Sequence, residues 1–484
     1  MPVEREAAGR RIGGMTQGEE QPARVEATPN QPGEASGSEA ALLSKYPHAE
    51  RCVWSARMLR ALDEGVKGGR WFSLIDKVWS KDTLARAWEI VRANDGSGGI
   101  DGMTTASFAT KLEDRLLELS GKLREGTYGP QPVRRVMIPK ADGRERPLGV
   151  PTIQDRIVQT ALRLVIEPIF EREFKPRSFG FRPGRGCKDA LREVVRLSES
   201  GHTFVVDADI KSFFDTIPHD KLMRRIEERI SDGKVLRLVT RMLEQGVMDG
   251  MSEWTPGEGT PQGSALSPLL ANIYLHPLDA LAEGRGYEMV RYADDFVVLC
   301  RTREQAEQAL QAIQEWTADA GLVLHPEKTR IVDMQAEGAS FEFLGYRFER
   351  NRRWPRKSSV LKLREAVRKK TPRNSGHSMM DTVESLNRTL RGWFEYFKHS
   401  SAGALDEIDG FVRRRLRAIL SKRNGIKPAH LGEANIRWPN VYFRGLGLFS
   451  LSDGRSRALA VVRNRRLESR MREIRTSGSE GGGA

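Results

Sequence analysis

Apolar runs flank a pair of carboxylates past the middle of the chain. Tyr287, Met289 and Val290 precede Asp294 and Asp295, and Phe296 to Leu299 follow. This pattern predicts two short strands joined by a tight turn, with Asp294 and Asp295 at the bend. Phe204-Val205-Val206-Asp207-Ala208-Asp209-Ile210 predicts another strand, and a period of two puts Asp207 and Asp209 on one face. The runs 134–140 and 144–151, separated by Ala141-Asp142-Gly143, predict a hairpin. Residues 341–348 alternate as one strand. Helical spacing governs Phe72 to Trp79 and Leu84 to Val91, then 152 to about 174, 305–320, and the basic stretch beyond Ser358. A helix also follows Pro261-Gln262-Gly263, with Ser264 or Ser267 as its cap. Residues 41–70 carry an ambiguous helical spacing.

Glycines mark two shaped loops. Residues 94–102, Asn-Asp-Gly-Ser-Gly-Gly-Ile-Asp-Gly, suit a close approach to a backbone or a phosphate, or form a plain connector. Residues 178–186, Ser-Phe-Gly-Phe-Arg-Pro-Gly-Arg-Gly, combine shape with cations and aromatics, a mix suited to phosphate contact and base stacking.

The carboxylates carry the candidate chemistry. Adjacent Asp residues between apolar strands repel each other and are costly to desolvate, and a divalent cation relieves both problems. If Asp209 faces the Asp294/Asp295 turn, three carboxylates converge. Oxygen ligands suit Mg²⁺, and two ions roughly 3.5–4 Å apart can activate a hydroxyl and stabilise a leaving pyrophosphate. Lys140 and Arg146, on the two arms of the predicted hairpin, could present paired cations to a triphosphate.

Composition sharpens this picture. The net charge of +14 points to a polyanionic partner. It is uneven: from Asn351 onward there are 30 Lys and Arg against 12 Asp and Glu, so the preceding part is slightly acidic. Cys52, Cys187 and Cys300 are widely spaced, which argues against a disulfide framework or zinc ribbon and fits a cytoplasmic protein. No run of about 18 apolar residues predicts a membrane span. The polar residues 1–40 and the Gly-rich end are expected to be disordered.

Tyr292-Ala293-Asp294-Asp295 resembles the active-site box of reverse transcriptases. Asp209-Ile210-Lys211 with Phe213-Phe214-Asp215 resembles the first catalytic block of the group II intron reverse transcriptases, and further blocks follow in that family's order. The 178–186 loop resembles the third block, with Lys188 where many relatives carry His. Leu386 to Phe397 resembles the thumb, or X domain, of maturases. The resemblance implies an α+β right-hand polymerase of fingers and palm with a small antiparallel sheet, followed by an α-helical thumb. It divides the chain into a tail (1–40), an N-terminal extension and start of the fingers (41–130), fingers and palm (131–350), a basic helical domain (351–476) and a tail (477–484).

The resemblance also implies roles. Asp209, Asp294 and Asp295 would be catalytic and, with Ile210, would hold two Mg²⁺ ions, for which Mn²⁺ may substitute. Lys140, Arg146, Phe214, Gln262 and Lys328 would bind the nucleotide, with Phe214 as a steric gate selecting dNTPs. Arg182, Pro261, Gly263, Arg391, Arg413 and Arg414 would contact RNA or template. Expected partners are group II intron RNA, an RNA template with a DNA primer, dNTPs and target DNA. The protein would also act as a maturase assisting splicing and mobility, associating with the nucleoid during retrohoming. No His/Cys endonuclease spacing follows the thumb. The alternatives are an intron-less reverse transcriptase in defence or repair, and an RNA-binding splicing cofactor with an idle polymerase.

Overall fold

The computed structural model describes Trp54, Met58, residues 61–62, 64–65, 69–139, 145–250, 252–350, 352–374, 376–425 and 431–460. Both expected tails, most of 41–70, Lys140 and the Ala141-Asp142-Gly143 turn lie outside these residues. The chain divides into two compact units. Met1–Val194, Ala208–Leu299 and Glu304–Arg330 form the first; Val195–Asp207, Cys300–Arg303 and Ile331–Ala484 form the second.

The strands are β1 (Val133–Pro139), β2 (Glu145–Val150), β3 (Phe204–Asp209), β4 (Val247–Asp249), β5 (Ser252–Trp254), β6 (Glu288–Tyr292), β7 (Asp295–Cys300), β8 (Arg330–Asp333), β9 (Phe341–Phe343), β10 (Tyr346–Glu349) and β11 (Arg352–Pro355). They form three sheets, in the orders β2-β1-β4-β5, β6-β7-β3-β8 and β11-β10-β9. The mixture of sheets and helices is that of an α+β fold followed by a helical domain.

In the first unit, β1 and β2 form the expected antiparallel hairpin, with Ile138 opposite Arg146. The helix Ile153–Glu171 follows, capped by the Thr152 side chain, which accepts from the Asp155 amide. Asp155 is buried and accepts from the Tyr128 and Thr152 hydroxyls. Burial pushes its carboxyl above the usual range, and those hydrogen bonds pull the other way. Buried Asp232 performs a similar task, accepting from the amides of Leu74 and Ile75 and from those of Lys234 and Val235. Burial lifts its carboxyl, but the four amides outweigh it and hold the group below the usual range. Two helix starts, Ile75–Val78 and Gly233–Leu243, are thereby tied to one carboxylate. The loop of residues 94–102 approaches backbone: an added Cβ at Gly99 would stand 2.7 Å from the Thr152 backbone.

In the second unit, residues 341–348 depart from the single strand predicted for them. They form the hairpin β9–β10, in which Phe343 pairs with Tyr346 and Phe341 with Phe348. Leu344 (φ 47°) and Gly345 (φ 80°) are both left-handed, as a two-residue turn between twisted strands requires. The aromatics at 346 and 348 are one position out of phase with those at 341 and 343, and that slip marks the turn. It brings Phe341 and Phe348 into a stack with centroids 4.9 Å apart. Beyond it, the helices Lys357–Lys370, Met379–Phe397 and Ala402–Arg423 pack around Leu363, Val367, Leu386, Leu390, Leu405, Val412 and Leu416. No helix among the described residues is long and apolar enough to cross a membrane.

Buried Asp409 closes the helical unit. It accepts from the Leu451 amide at 2.9 Å, the Ser452 amide at 3.2 Å and the Ser450 hydroxyl at 2.8 Å, at the start of the helical segment that begins at Leu451. An anion at a helix start is favourable, and its loss strands buried donors. We expect Asp409→Ala to destabilise the protein by about 2–3 kcal/mol, read as a lowered midpoint in urea unfolding followed by circular dichroism. A midpoint unchanged from the wild type would contradict this.

Candidate active site

The β6–β7 hairpin carries the paired carboxylates. Tyr292 pairs with Asp295, so the two turn residues are Ala293 and Asp294. Asp295 is therefore the first residue of β7 and does not sit at the bend. Ala293 has φ 59°, a left-handed conformation that costs a non-glycine residue roughly 1 kcal/mol. The primed hairpin turns demand such a φ to match strand twist.

Arg291 holds this turn. Its side chain is fully buried and all five of its N–H donors are used. Nε and Nη2 grip the two oxygens of Asp279, Nη1 donates to Asn272 Oδ1 (2.9 Å) and to the Ala293 carbonyl (2.8 Å), and Nη2 also donates to Ser178 Oγ (2.7 Å). From beneath, Gly180 lies so close that an added Cβ would stand 2.2 Å from the Ala293 amide nitrogen. Asn272 Nδ2 donates to the Gly180 carbonyl at 2.8 Å, and the Phe179 amide donates to the Arg291 carbonyl at 2.8 Å. The 178–186 loop thus supports the catalytic turn. None of Arg291, Asn272, Asp279 and Gly180 received a role from the sequence, although an Arg and an Asp embedded in apolar runs are signals of a buried pair.

Arg182 was expected to contact RNA; the structure gives it another task. Its side chain is buried and forms a two-pronged pair with Glu171 (2.8 Å on each prong), while Nη1 donates to the carbonyls of Lys175 (2.6 Å) and Ser178 (2.7 Å). A guanidinium so occupied inside the protein is a loop clamp, with no donors turned to a polyanion.

Asp209 ends β3. Its carbonyl accepts from the His325 amide at 2.7 Å, and its carboxylate pairs with Lys328 Nζ. Ile210 is buried and bridges Leu324. Burial pushes the Asp294 carboxyl above the usual range; the Asp209 charge adds to this and Arg146 opposes it. The charges of Asp209 and Arg146 thus act on Asp294, and Lys328 pairs with Asp209. Among the described residues no three His, Cys, Asp or Glu side chains stand together as a ligand cluster, and the Asp209 carboxylate is paired with Lys328. The donor chemistry fits a hard divalent cation: oxygen donors only, and a carboxyl lifted by burial and by a neighbouring carboxylate.

On the nucleotide side, three segments lock together. Arg146 Nε donates to Gln262 Oε1 at 2.6 Å, and Gln262 Nε2 donates to Asp215 Oδ1 at 2.8 Å. The Asp215 carboxylate, an acceptor only, fixes the amide so that its oxygen meets Arg146. The Gln262 carbonyl accepts from the Gly149 amide at 2.7 Å. Gly263 (φ 115°) passes so near β2 that an added Cβ would meet the Gly149 oxygen at 2.2 Å. Pro261 accepts from Ser267 Oγ at 2.9 Å. Pro261 and Gly263 therefore shape the loop. Neither expected serine caps the helix Ser267–Gly284: it starts after Leu266 with no side-chain cap, Ser267 serves the loop, and Ser264 Oγ accepts from the Leu266 amide. Phe213 is buried, whereas Phe214 is half-buried on the turn between Asp209 and Asp215, edge-on to Phe213.

In the second unit the arginines of the helix Ala402–Arg423 divide between two tasks. Arg415 donates to the Thr371 hydroxyl and Arg417 to the Trp438 carbonyl, so both brace the bundle. Arg414 is exposed, Arg413 half-buried, and exposed Arg391 lies over the Phe449 ring at 4.9 Å. Arg391 and Arg414 remain turned to solvent.

The raised Asp294 carboxyl has a thermodynamic consequence. A carboxyl whose folded pKa is raised adds stability at low pH that is lost as the pH rises through its folded value. Asp294→Asn should therefore raise the thermal midpoint in chelator at pH 7, the gap closing as the pH falls toward about 4. Divalent ion should raise the midpoint of the wild type more than that of the variant. Calorimetry giving a lower midpoint for the variant in chelator would contradict this reading.

Residues 138–348 match the model of the reverse transcriptase (RNA-dependent DNA polymerase) family, and residues 360–430 match the maturase-specific domain of group II introns. Protein YkfC of Escherichia coli is 32% identical over 58% of this chain and 83% of its own. The group II intron-encoded protein LtrA of Lactococcus lactis is 40% identical over 40% of this chain, which spans 32% of LtrA's length. An uncharacterised 91 kDa protein in the cob intron of Schizosaccharomyces pombe is 36% identical over 43% of this chain and 26% of that protein. A solved chain of a partial Cas6-RT-Cas1–Cas2 complex shares a TM-score of 0.34 at 26% identity over 51% of this chain and 41% of that one, too low a likeness to argue from. Polymerase model, maturase model and relatives converge: the chain belongs to the group II intron reverse transcriptase/maturase family, a family of RNA-directed DNA polymerases.

Proposed function

We propose that the protein copies RNA into DNA from a DNA primer at the site built on Asp209, Asp294 and Asp295, with dNTPs as substrate and Mg²⁺ as the divalent ion. The observation that carries this reading is the Arg146–Gln262–Asp215 line, with the Arg146 and Asp209 charges acting on Asp294 and Asp209 paired with Lys328. Asp209, Asp294 and Asp295, with the Ile210 carbonyl, would hold divalent ions, which would supply activation of the primer hydroxyl and charge neutralisation of the leaving pyrophosphate.

The chain's own residues do the rest. Arg146, its Nε fixed by Gln262, turns its remaining donors to the triphosphate, where a guanidinium fork binds phosphate oxygens in pairs. Lys140, outside the described residues, is the second cation of that hairpin. Phe214, half-buried at the turn after Asp209, is assigned the gate that excludes a 2′-hydroxyl. Lys328 leaves Asp209 as a nucleotide arrives and meets its phosphates. The exposed Arg391 and Arg414, with Arg413, offer cations to an A-form duplex, whose minor groove is read through phosphates and 2′-hydroxyls. We infer that these serve the maturase role on the parent intron RNA, and that target DNA is met in the cytoplasm at the nucleoid.

Primer extension on an RNA template with dNTPs and Mg²⁺ tests this reading. cDNA is expected from the wild type and none from Asp294→Ala/Asp295→Ala. Phe214→Ala should keep dNTP incorporation and gain ribonucleotide incorporation, read from gels run with each nucleotide set. No cDNA from the wild type, with RNA binding intact, would overturn the reading.

A further inference from the structure

In the 178–186 loop, Phe181 is the aromatic that stays out of the core. Both of its neighbours are pinned. Gly180 is pressed against Ala293 and its carbonyl is held by Asn272, while Arg182 is clamped inside by Glu171 and by the carbonyls of Lys175 and Ser178. Between these two clamps Phe181 is forced to φ 55°, a conformation that bulky residues rarely adopt. Burial does not offset the strain, since the residue is 48% exposed. The ring lies beside Tyr292, the residue that opens the catalytic turn, with centroids 6.1 Å apart and planes at 46°.

Strained backbone persists only where the surround over-determines it, and an outlier beside a candidate site is grounds for a hypothesis of function. An exposed, rigidly held aromatic face is the chemistry that binds a nucleobase, because every base has a π-face. We propose that Phe181 stacks on the terminal base pair of the RNA–DNA template–primer duplex, next to the primer 3′ end, and so registers that end against Asp294. The proposal rests on the polymerase reading for the identity of the duplex. It also separates the two neighbours in the loop: Arg182 builds the platform and Phe181 uses it.

The test is fluorescence anisotropy of a labelled RNA template–DNA primer with full-length wild type, Phe181→Gly and Phe181→Tyr, repeated across a salt series, with thermal midpoints measured alongside. Phe181→Gly relieves the left-handed φ, so its midpoint should equal or exceed the wild type's, while its affinity falls roughly tenfold or more. Phe181→Tyr keeps the ring and should bind within about twofold of the wild type. The slopes of log affinity against log salt should stay parallel, because stacking releases no counterions, whereas a lost phosphate contact would change the slope by about one. Wild-type affinity in Phe181→Gly would overturn the proposal, as would a midpoint lowered by several degrees with affinity intact, which would make the ring structural. Extension by the wild type is measured in the same samples. Its absence would sink the polymerase reading, while the affinity comparison needs no catalysis and decides the stacking claim by itself.

Discussion

The buried Arg291–Asp279 pair is the interaction on which the catalytic turn depends. An unpaired guanidinium in the interior would be prohibitively costly, and here every donor is matched, two of them to one carboxylate. The network spans the helix carrying Asn272 and Asp279, the loop carrying Ser178, and the turn itself. It therefore fixes a geometry that Ala293 does not favour by its own propensity. The strain at Ala293 is local, and the pair that imposes it is shared by several segments.

Close backbone approach is the second device in the same site. Gly180 against Ala293, and Gly263 against Gly149, bring two loops to distances at which a Cβ has no room. These contacts let the two loops lie directly against the Ala293 turn and against β2. Asp294 is held where its ionised form is disfavoured. That arrangement costs stability and favours a divalent ion.

Much of this was legible in the sequence. The Asp-Asp pair between apolar runs and the carboxylate on β3 suggested a divalent-ion site, and the resemblance of Tyr292-Ala293-Asp294-Asp295 to the reverse transcriptase box implied its role. The β1–β2 hairpin and the helix capped by Thr152 followed from turn residues and periodicity. Other features depended on partners far away in the chain. Arg182 resembled an RNA contact because a cation in a Gly-rich loop is usually exposed; its Glu171 partner sits on another element and carries no local signal. Asp295 was placed at the bend because a two-residue turn can be framed on Asp294-Asp295 as readily as on Ala293-Asp294. Residues 341–348 read as one strand because the phase slip at Leu344-Gly345 is a single residue. Asp215 and Gln262 are 47 residues apart and meet only in the folded chain.

Arg291→Lys tests the central claim most directly. Lysine keeps the charge but has three donors and no fork, so it cannot grip Asp279, Asn272, Ser178 and the Ala293 carbonyl together. The account predicts a loss of about 3 kcal/mol or more in unfolding free energy. It also predicts loss of primer extension at temperatures where the variant remains folded, although Asp209, Asp294 and Asp295 are all present. Extension at the wild-type rate by folded Arg291→Lys would contradict it, because the turn would then keep its geometry without the network said to impose it.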